Sequence, residues 1–268
     1  MASAQIARPS LRGASWFWFS LAAVTGTYLA FLGGLLGATA VYGTPSALWA
    51  ALHSDAIRHS VVLSFVTCTV TSVLSLIVAV PIGYLLARAD FRFRTWVTAF
   101  LDIPIVLPPM VIGLMLLIFF QTTPGRWIEK LVPLTYTVNG VILAQWVIGS
   151  AFAIRTMHTC FENISARPEN VALTLGCTRA GAVWRVTLPA ARRGMFAAAT
   201  VAWARSLGEF GPILVFAGAT RMKTEVLPTT VWLELSVGNL EAAVAVSLLL
   251  VVFAMSVLAA LRSLGERI

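Results

Sequence analysis

The sequence predicts an all-α integral membrane protein with six transmembrane helices, and composition and patterning both support this class. Of the 268 residues, 59% are hydrophobic and only 11% are charged, whereas soluble proteins carry about 25% charged residues. The mean hydropathy is +0.87, and the apolar residues fall in blocks close to the roughly 20 residues that a helix needs to cross a bilayer. These observations exclude a cytosolic enzyme, a secreted disulfide scaffold and a disordered chain.

Six apolar segments are long enough to be spans. The predicted spans are residues 16–41, 59–87, 95–120, 131–154, 194–218 and 242–261, and the first residues of the fourth are expected to form a loop. Four of them contain no Asp, Glu, Lys or Arg; the third contains Asp102, and the fifth contains Arg205 and Glu209. An even number of spans places both ends of the chain on one side of the membrane. The connections 42–58 and 219–241 mix apolar and polar residues, which predicts short interfacial helices with Trp49 and Trp232 as anchors.

The positions of the cations predict the orientation. If the N-terminus is cytoplasmic, the inside segments hold Arg8, Arg12, Arg88, Arg92, Arg94, Arg155, Arg167, Arg179, Arg185, Arg192, Arg193, Arg262 and Arg267. The outside loops then hold only Arg58, Arg126, Lys130, Arg221 and Lys223. Because cytoplasmic loops of membrane proteins are enriched in Lys and Arg, both termini are predicted to be cytoplasmic. The net charge of +8 is explained in the same way, so no nucleic-acid partner is expected.

The N-terminal segment has a second interpretation. Arg8 and Arg12 precede an apolar run, as in a signal peptide, but the run far exceeds the 7–15 residues of a signal-peptide core. We therefore expect an uncleaved first helix. The whole chain, 1–268, is predicted to be one transmembrane domain, with a tail and first helix at 1–41 and a core at 57–262.

No catalytic or metal-binding constellation is predicted. The three cysteines, Cys68, Cys160 and Cys177, are interpreted as reduced thiols because their spacing fits neither a disulfide framework nor a metal site. The two lysines, Lys130 and Lys223, follow Glu129 and Met222, so the sequence contains no Gly-Lys-Ser/Thr phosphate loop. The chain is therefore predicted to be no enzyme and to have no cofactor of its own.

The long basic connection at about 156–193 is expected to be functional, because connections between packed helices are normally about 2–8 residues. Its central part predicts a helix, a turn and a second helix. Pro168 and Glu169 suit a first helical turn, and Val171 and Leu175 lie four apart on one apolar stripe. Gly176 is suited to ending that helix.

The second helix of this connection is predicted to be short. Thr178 is placed to cap it, and the helix is expected to run through Val186 and to stop before Pro189. A short amphipathic helical hairpin with a basic rim is typical of a docking element.

This segment resembles the cytoplasmic EAA loop of ABC-importer permeases, whose pattern is EAA, three residues, Gly, nine residues and Ile-x-Leu-Pro. Here Gly176 is followed by nine residues and then by Val-Thr-Leu-Pro at 186–189. Asn170, Val171 and Ala172 stand where the family has EAA, and the acid lies one place earlier, at Glu169. The resemblance implies an ATPase-coupling role for Glu169, Ala172, Leu175, Gly176, Val186, Leu188 and Pro189.

Other segments extend the resemblance from about residue 60 to the C-terminus. DIPIVLPPMVIG (102–113) and ARSLGEFGPILVFAG (204–218) are similar to segments of molybdate, tungstate and sulfate permeases. The resemblance implies a type I ABC importer permease fold in the cell inner membrane, working as a homodimer. It also implies an ABC ATPase partner, which binds ATP and Mg, and a periplasmic or extracellular solute-binding protein that delivers the oxyanion.

Charges and helix breakers within the third and fifth spans predict a translocation pathway or gate. An ionisable group at the centre of a span costs about 2.5–3.5 kcal/mol, so it should face protein or water. Broken helices at membrane depth are typical of cavities. The candidates are Asp102, Pro108, Pro109, Arg205, Gly208, Glu209 and Gly211. The alternative is that Arg205 and Glu209, four apart on one helical face, form an ion pair that only stabilises the fold.

Three other functions remain open from the sequence. A sulfate or thiosulfate permease would share every motif above. An ion-coupled secondary transporter would need an inverted repeat and an ion site of its own, and neither is clear in the sequence. A membrane anchor or sensor would transport nothing.

Overall fold

The computed structural model describes residues 16–267, and every regular element in that range is helical. The α-helices are α1 (Trp16–Tyr42), α2 (Pro45–His53), α3 (Asp55–Arg88), α4 (Arg94–Val106), α5 (Pro109–Gln121), α6 (Thr123–Leu131), α7 (Val138–Asn163), α8 (Arg167–Thr174), α9 (Arg179–Ala182), α10 (Leu188–Leu207), α11 (Leu227–Ser236) and α12 (Leu240–Arg267). Two π-helical segments, π1 (Val183–Thr187) and π2 (Ile213–Ala217), precede and follow α10. The predicted tail with Arg8 and Arg12 lies outside the described residues.

The chain divides into two units. The first ends at Thr44 and contains α1, a continuous 27-residue apolar helix. The second begins at Pro45 and contains all the other helices.

Within the described residues, four helices are long and apolar enough to cross a membrane. They are α1, α3, α7 and the Leu240–Leu261 part of α12. Helices α4 and α5 are a fifth candidate, because together they pass the same length and composition test, but they are bent by 108° at their junction. These elements correspond to the first, second, fourth, sixth and third predicted spans, and they identify the chain as a multi-pass membrane protein.

Two of the predicted spans have other boundaries in the structure. The fourth span is predicted at 131–154 with its first residues in a loop, and α7 does begin later, at Val138, where Thr137 accepts a hydrogen bond from the Gly140 N–H at 3.3 Å. The predicted end is wrong, because α7 continues to Asn163. The fifth span is predicted at 194–218, but α10 ends at Leu207. Hydropathy places the end of α7 too early, because a helix continues through polar residues wherever its backbone stays hydrogen-bonded. Hydropathy also misses the end of α10 at Leu207.

The two predicted interfacial helices are present as α2 and α11, and α11 is also packed into the protein. Its Leu227, Thr229 and Thr230 are fully buried, and the Leu227 N–H donates to Ser64 Oγ of α3 at 2.9 Å.

Helix α6 is not predicted by the sequence. Thr122 caps it by accepting from the Gly125 N–H at 3.4 Å.

The core of the second unit lies where α3, α7 and α10 pack together. Small residues dominate these contacts, and Ala79, Ala153 and Ala202 are fully buried. A Cβ on Gly83 would lie 2.8 Å from Met157 Cβ, so only glycine fits between α3 and α7 at that point. Close approach through small residues is the usual way in which helices pack in lipid.

Buried polar side chains also join these three helices. Thr71 Oγ1 donates to Gln145 Oε1 at 3.3 Å, and Gln145 Nε2 donates to the Ser206 carbonyl at 3.3 Å. Ser72 Oγ donates to the Ala199 carbonyl at 2.7 Å. Hydrogen bonds of this kind satisfy polar groups that have no water to bond with. They fix the positions of α3, α7 and α10, and α10 leads directly to the candidate site.

Candidate functional site

The predicted helical hairpin is present between α7 and α10. Helix α8 has Pro168 in its first turn, and Gly176 after it has a φ of +88°, a conformation that side chains with a Cβ rarely adopt. Thr178 Oγ1 then accepts from the Gly181 N–H at 3.1 Å and caps α9. We use the name coupling hairpin for residues 167–187, which comprise α8, α9 and π1.

The second helix does not stop before Pro189, which corrects the prediction. Helix α9 passes through π1 directly into α10, and Pro189 lies in the first turn of α10. The Leu188 N–H bonds to the Val183 carbonyl, five residues back. This wider turn absorbs the distortion that proline causes in an α-helix, so the hairpin is continuous with a core helix.

Helix α8 has two distinct faces. Glu169, Ala172 and Leu173, spaced three and four apart, point inward and are buried or half-buried. Val171 and Leu175 lie on the opposite face and are 56% and 80% exposed. The apolar stripe predicted from their spacing is therefore unburied in the chain.

A further apolar side chain, which sequence reasoning missed, adds to the exposed surface. Trp184 on π1 is 73% exposed. Of the other predicted coupling residues, Val186 is half-buried and Pro189 is exposed. Leu188 packs against the core of α3, α7 and α10. The hairpin thus presents apolar residues outward from a base that packs on the core.

Glu169 is buried, although the sequence suggested a role in the first turn of a helix and the resemblance implied a coupling role. Its Oε1 accepts a hydrogen bond from Tyr84 Oη of α3, and its Oε2 accepts one from Thr187 Oγ1 at 2.9 Å. Arg88 Nε lies 3.7 Å from Oε2. Arg88 Nη2 also donates to the Ile164 carbonyl at 2.8 Å. Sequence reasoning missed these partners because they are distant along the chain.

The breaks in the third and fifth predicted spans lie against each other. Helix α4 ends at Val106 and α5 begins at Pro109, as the adjacent prolines predicted. A Cβ on Gly113 would lie 2.8 Å from Pro212 Cα, and one on Gly211 would lie 2.9 Å from Met110 Cγ. The glycines therefore permit backbone contact between the two interrupted segments.

The predicted ion pair of Arg205 and Glu209 is present at the end of α10. The Nη2–Oε1 distance is 2.8 Å, and the Glu209 side chain is 1% exposed, whereas that of Arg205 is 34% exposed. The guanidinium carbon of Arg205 lies 5.5 Å from the ring centroid of Phe152, at a distance typical of a cation–π contact. Gly208 forms the end of α10 between the two charges.

Asp102 lies apart from this pair. It lines a cavity of about 170 Å³ together with Arg155 and His158 of α7. The candidate gate residues thus fall into two groups: the glycines, prolines and ion pair at the meeting breaks, and Asp102 in its own cavity.

Comparison with known proteins gives a consistent set of relatives. Residues 79–268 match the family described as binding-protein-dependent transport system inner membrane component. A probable molybdenum ABC transporter permease protein of Haloferax volcanii is 34% identical over 86% of this chain and 84% of its own length. A molybdate/tungstate transport system permease protein of Pyrococcus abyssi is 34% identical over 62% of this chain and 63% of its own. A sulfate transport system permease protein of Escherichia coli is 28% identical, over 82% and 80%.

A solved structure shares the fold. A bacterial alginate ABC transporter in complex with an alginate pentasaccharide-bound periplasmic protein contains a chain with a TM-score of 0.74. The match covers 93% of this chain and 94% of that one, at 14% sequence identity. At this identity the likeness concerns the helical architecture alone.

Proposed function

The chain belongs to the family of binding-protein-dependent transport system inner membrane components, and from that membership we propose that it is the permease subunit of an ATP-driven importer of molybdate or tungstate. The substrate class is supported by a molybdenum permease that is 34% identical to this chain over most of its length. A relative of equal identity is a molybdate/tungstate permease. Both ions are tetrahedral oxyanions, so one pathway suits both.

ATP-driven import requires a partner, and the coupling hairpin supplies a surface for it. Val171, Leu175 and Trp184 are exposed apolar side chains beside the exposed cations Arg179 and Arg185. We propose that an ABC ATPase, which binds ATP and Mg, covers this surface. Family membership and this surface favour ATP-driven import over ion-coupled transport or simple anchoring.

The proposed topology has six membrane crossings with both termini in the cytoplasm. The α4–α5 pair would be the third crossing, and α10 with π2 would be the fifth. This places the hairpin on the cytoplasmic side, where the ATPase binds, and α2 and α11 on the side from which a solute-binding protein delivers the oxyanion. A second copy of the chain in the cell inner membrane would complete the pathway.

Within the membrane we propose that the meeting breaks and the Arg205–Glu209 pair form the gate. Arg205 is one-third exposed while its partner is buried, so the guanidinium retains a free side for an anion. Asp102, in its separate cavity, would act at a second position on the route toward the cytoplasm.

Uptake by reconstituted vesicles tests the function. The permease, its ATPase and its binding protein should import radiolabelled molybdate only with ATP, and unlabelled tungstate should compete. The 28%-identical sulfate permease makes sulfate the second candidate. Competition by sulfate as strong as that by tungstate would favour it, and uptake without ATP would refute an ATP-driven importer.

A further inference from the structure

We infer that Glu169 is a positioning residue that fastens the coupling hairpin to the end of α3, so that movement of the hairpin is transmitted to the membrane core. The inference rests on the proposed function. It differs from the role that the EAA-loop resemblance implies, because the side chain of Glu169 faces into the protein and not toward a partner.

Burial and bonding place Glu169 out of a partner's reach. The residue is 7% exposed, and each carboxylate oxygen already accepts a hydrogen bond. The exposed stripe of Val171 and Leu175 lies on the other face of α8. A protein that covers this stripe would therefore leave the Glu169 contacts intact.

The contacts of Glu169 connect parts of the chain that are far apart in sequence. Tyr84 and Arg88 belong to the last turns of α3, whereas Thr187 ends π1. Arg88 also donates to the Ile164 carbonyl, just beyond α7. The carboxylate therefore joins α3, the end of α7 and both arms of the hairpin at one point.

Helix α3 is suited to carry a displacement into the membrane. It runs without interruption for 34 residues and, near its middle, Thr71 and Ser72 bond to α7 and α10. A charged group buried with several partners is costly to separate from them. The hairpin and the end of α3 should consequently move together.

The test uses the whole importer in vesicles and compares molybdate uptake with ATP hydrolysis. Glu169→Gln keeps the size of the side chain but removes the charge that Arg88 and both donors contact. We expect the variant to bind its ATPase and to hydrolyse ATP, while molybdate uptake per ATP falls about fivefold or more, within the usual range of coupling between sites. A residue needed only for folding would lower the amount of complex and leave uptake per ATP unchanged.

Glu162→Gln is the matched control. Glu162 lies near the end of α7 with its side chain 48% exposed, and it contacts Arg94 and His158 but not the hairpin. Its uptake per ATP should equal that of the wild type. If Glu162→Gln uncouples transport as strongly as Glu169→Gln, the effect is one of surface charge and the inference is wrong.

Two milder variants decide the matter if Glu169→Gln does not accumulate. Tyr84→Phe and Thr187→Val each remove one hydrogen bond to the carboxylate and nearly preserve the size of the side chain. Lower uptake per ATP in both supports the inference, and wild-type coupling in both overturns it. A wild-type importer without ATP-dependent uptake would overturn the proposed function itself, which distinguishes the two failures.

Discussion

At the scale of single residues, two positions carry most of the proposed mechanism. Gly176 has a left-handed backbone, and nothing lies within 4 Å of the point that a Cβ would occupy, so glycine is required there by conformation and not by lack of space. Arg205 is one-third exposed whereas its partner Glu209 is buried, so the guanidinium of Arg205 can contact an anion while it stays paired. The sequence predicted both candidates and the helix-ending conformation of Gly176, whereas the difference in burial between Arg205 and Glu209 needed the structure.

We predict that Gly176→Val weakens the association between the permease and its ATPase. A left-handed residue with a Cβ costs about 1–2 kcal/mol, so the turn that ends α8 should rearrange and displace Leu175. The membrane core should stay folded. The measurement is the amount of ATPase that co-purifies with the permease, together with molybdate uptake.

Gly238→Val is the control for this prediction. Gly238 has a φ of +78° and nothing within 4 Å of its Cβ position, but it lies between α11 and α12. It should suffer the same strain without losing the ATPase. Equal loss of ATPase in both variants would show that backbone strain, and not the hairpin, is responsible.

A second prediction separates the two roles considered for Arg205 and Glu209. Replacing a buried ion pair by apolar residues is often neutral for stability, so Arg205→Met with Glu209→Leu should still assemble. If Arg205 contacts the passing anion, the loss of a charged hydrogen bond of about 1.5–3 kcal/mol should reduce uptake about tenfold or more. Uptake per assembled complex is the measurement, and wild-type uptake would leave the pair with a structural role only.

At the scale of elements, hydropathy located the long apolar helices well. Where the chain is uniformly apolar, the predicted spans 16–41 and 242–261 closely match α1 at Trp16–Tyr42 and the apolar part of α12 at Leu240–Leu261. The errors are at the C-terminal ends of α7, which continues to Asn163, and of α10, which stops at a glycine-rich break. Hydrogen bonding sets such ends, and a hydropathy window does not detect it.

The contact between the broken elements gives a third prediction. In Gly113→Val the new Cβ would lie only 2.8 Å from Pro212 Cα. Overpacking of this kind costs about 1–3 kcal/mol. The detergent-solubilised protein should therefore unfold at a lower temperature, and uptake should fall. Gly37→Val in α1, where nothing lies within 4 Å, should change neither quantity. An unchanged unfolding temperature for Gly113→Val would contradict the contact.

At the scale of the whole molecule, the sequence predicted the class, the family and the place of the hairpin, but not how distant sites meet. Local patterns alone single out Pro108, Gly211 and Glu169. That Gly211 contacts Met110, and that Glu169 contacts Tyr84, follows from the packing of α3, α5, α7 and α10. One sequence without its tertiary structure does not specify such pairs.

The proposed topology predicts which side of the membrane each thiol faces. Cys177 lies half-buried in the coupling hairpin, whereas Cys68 is fully buried in the core. A membrane-impermeant thiol reagent should miss both in sealed cells and should label Cys177 after lysis. A cysteine placed at the exposed Lys223 should react in sealed cells. Labelling of Cys177 from outside would invert the topology.

The two faces of α8 have a consequence for how this protein can evolve. If the ATPase covers Val171 and Leu175, as proposed, a change in either residue would be compensated in the gene of the ATPase. Glu169 is matched to Tyr84 and Thr187, so a change there is compensated within the same chain. The outer and inner faces of this short helix would then be under two independent selections, and pairing this permease with a foreign ATPase should require changes on the outer face alone.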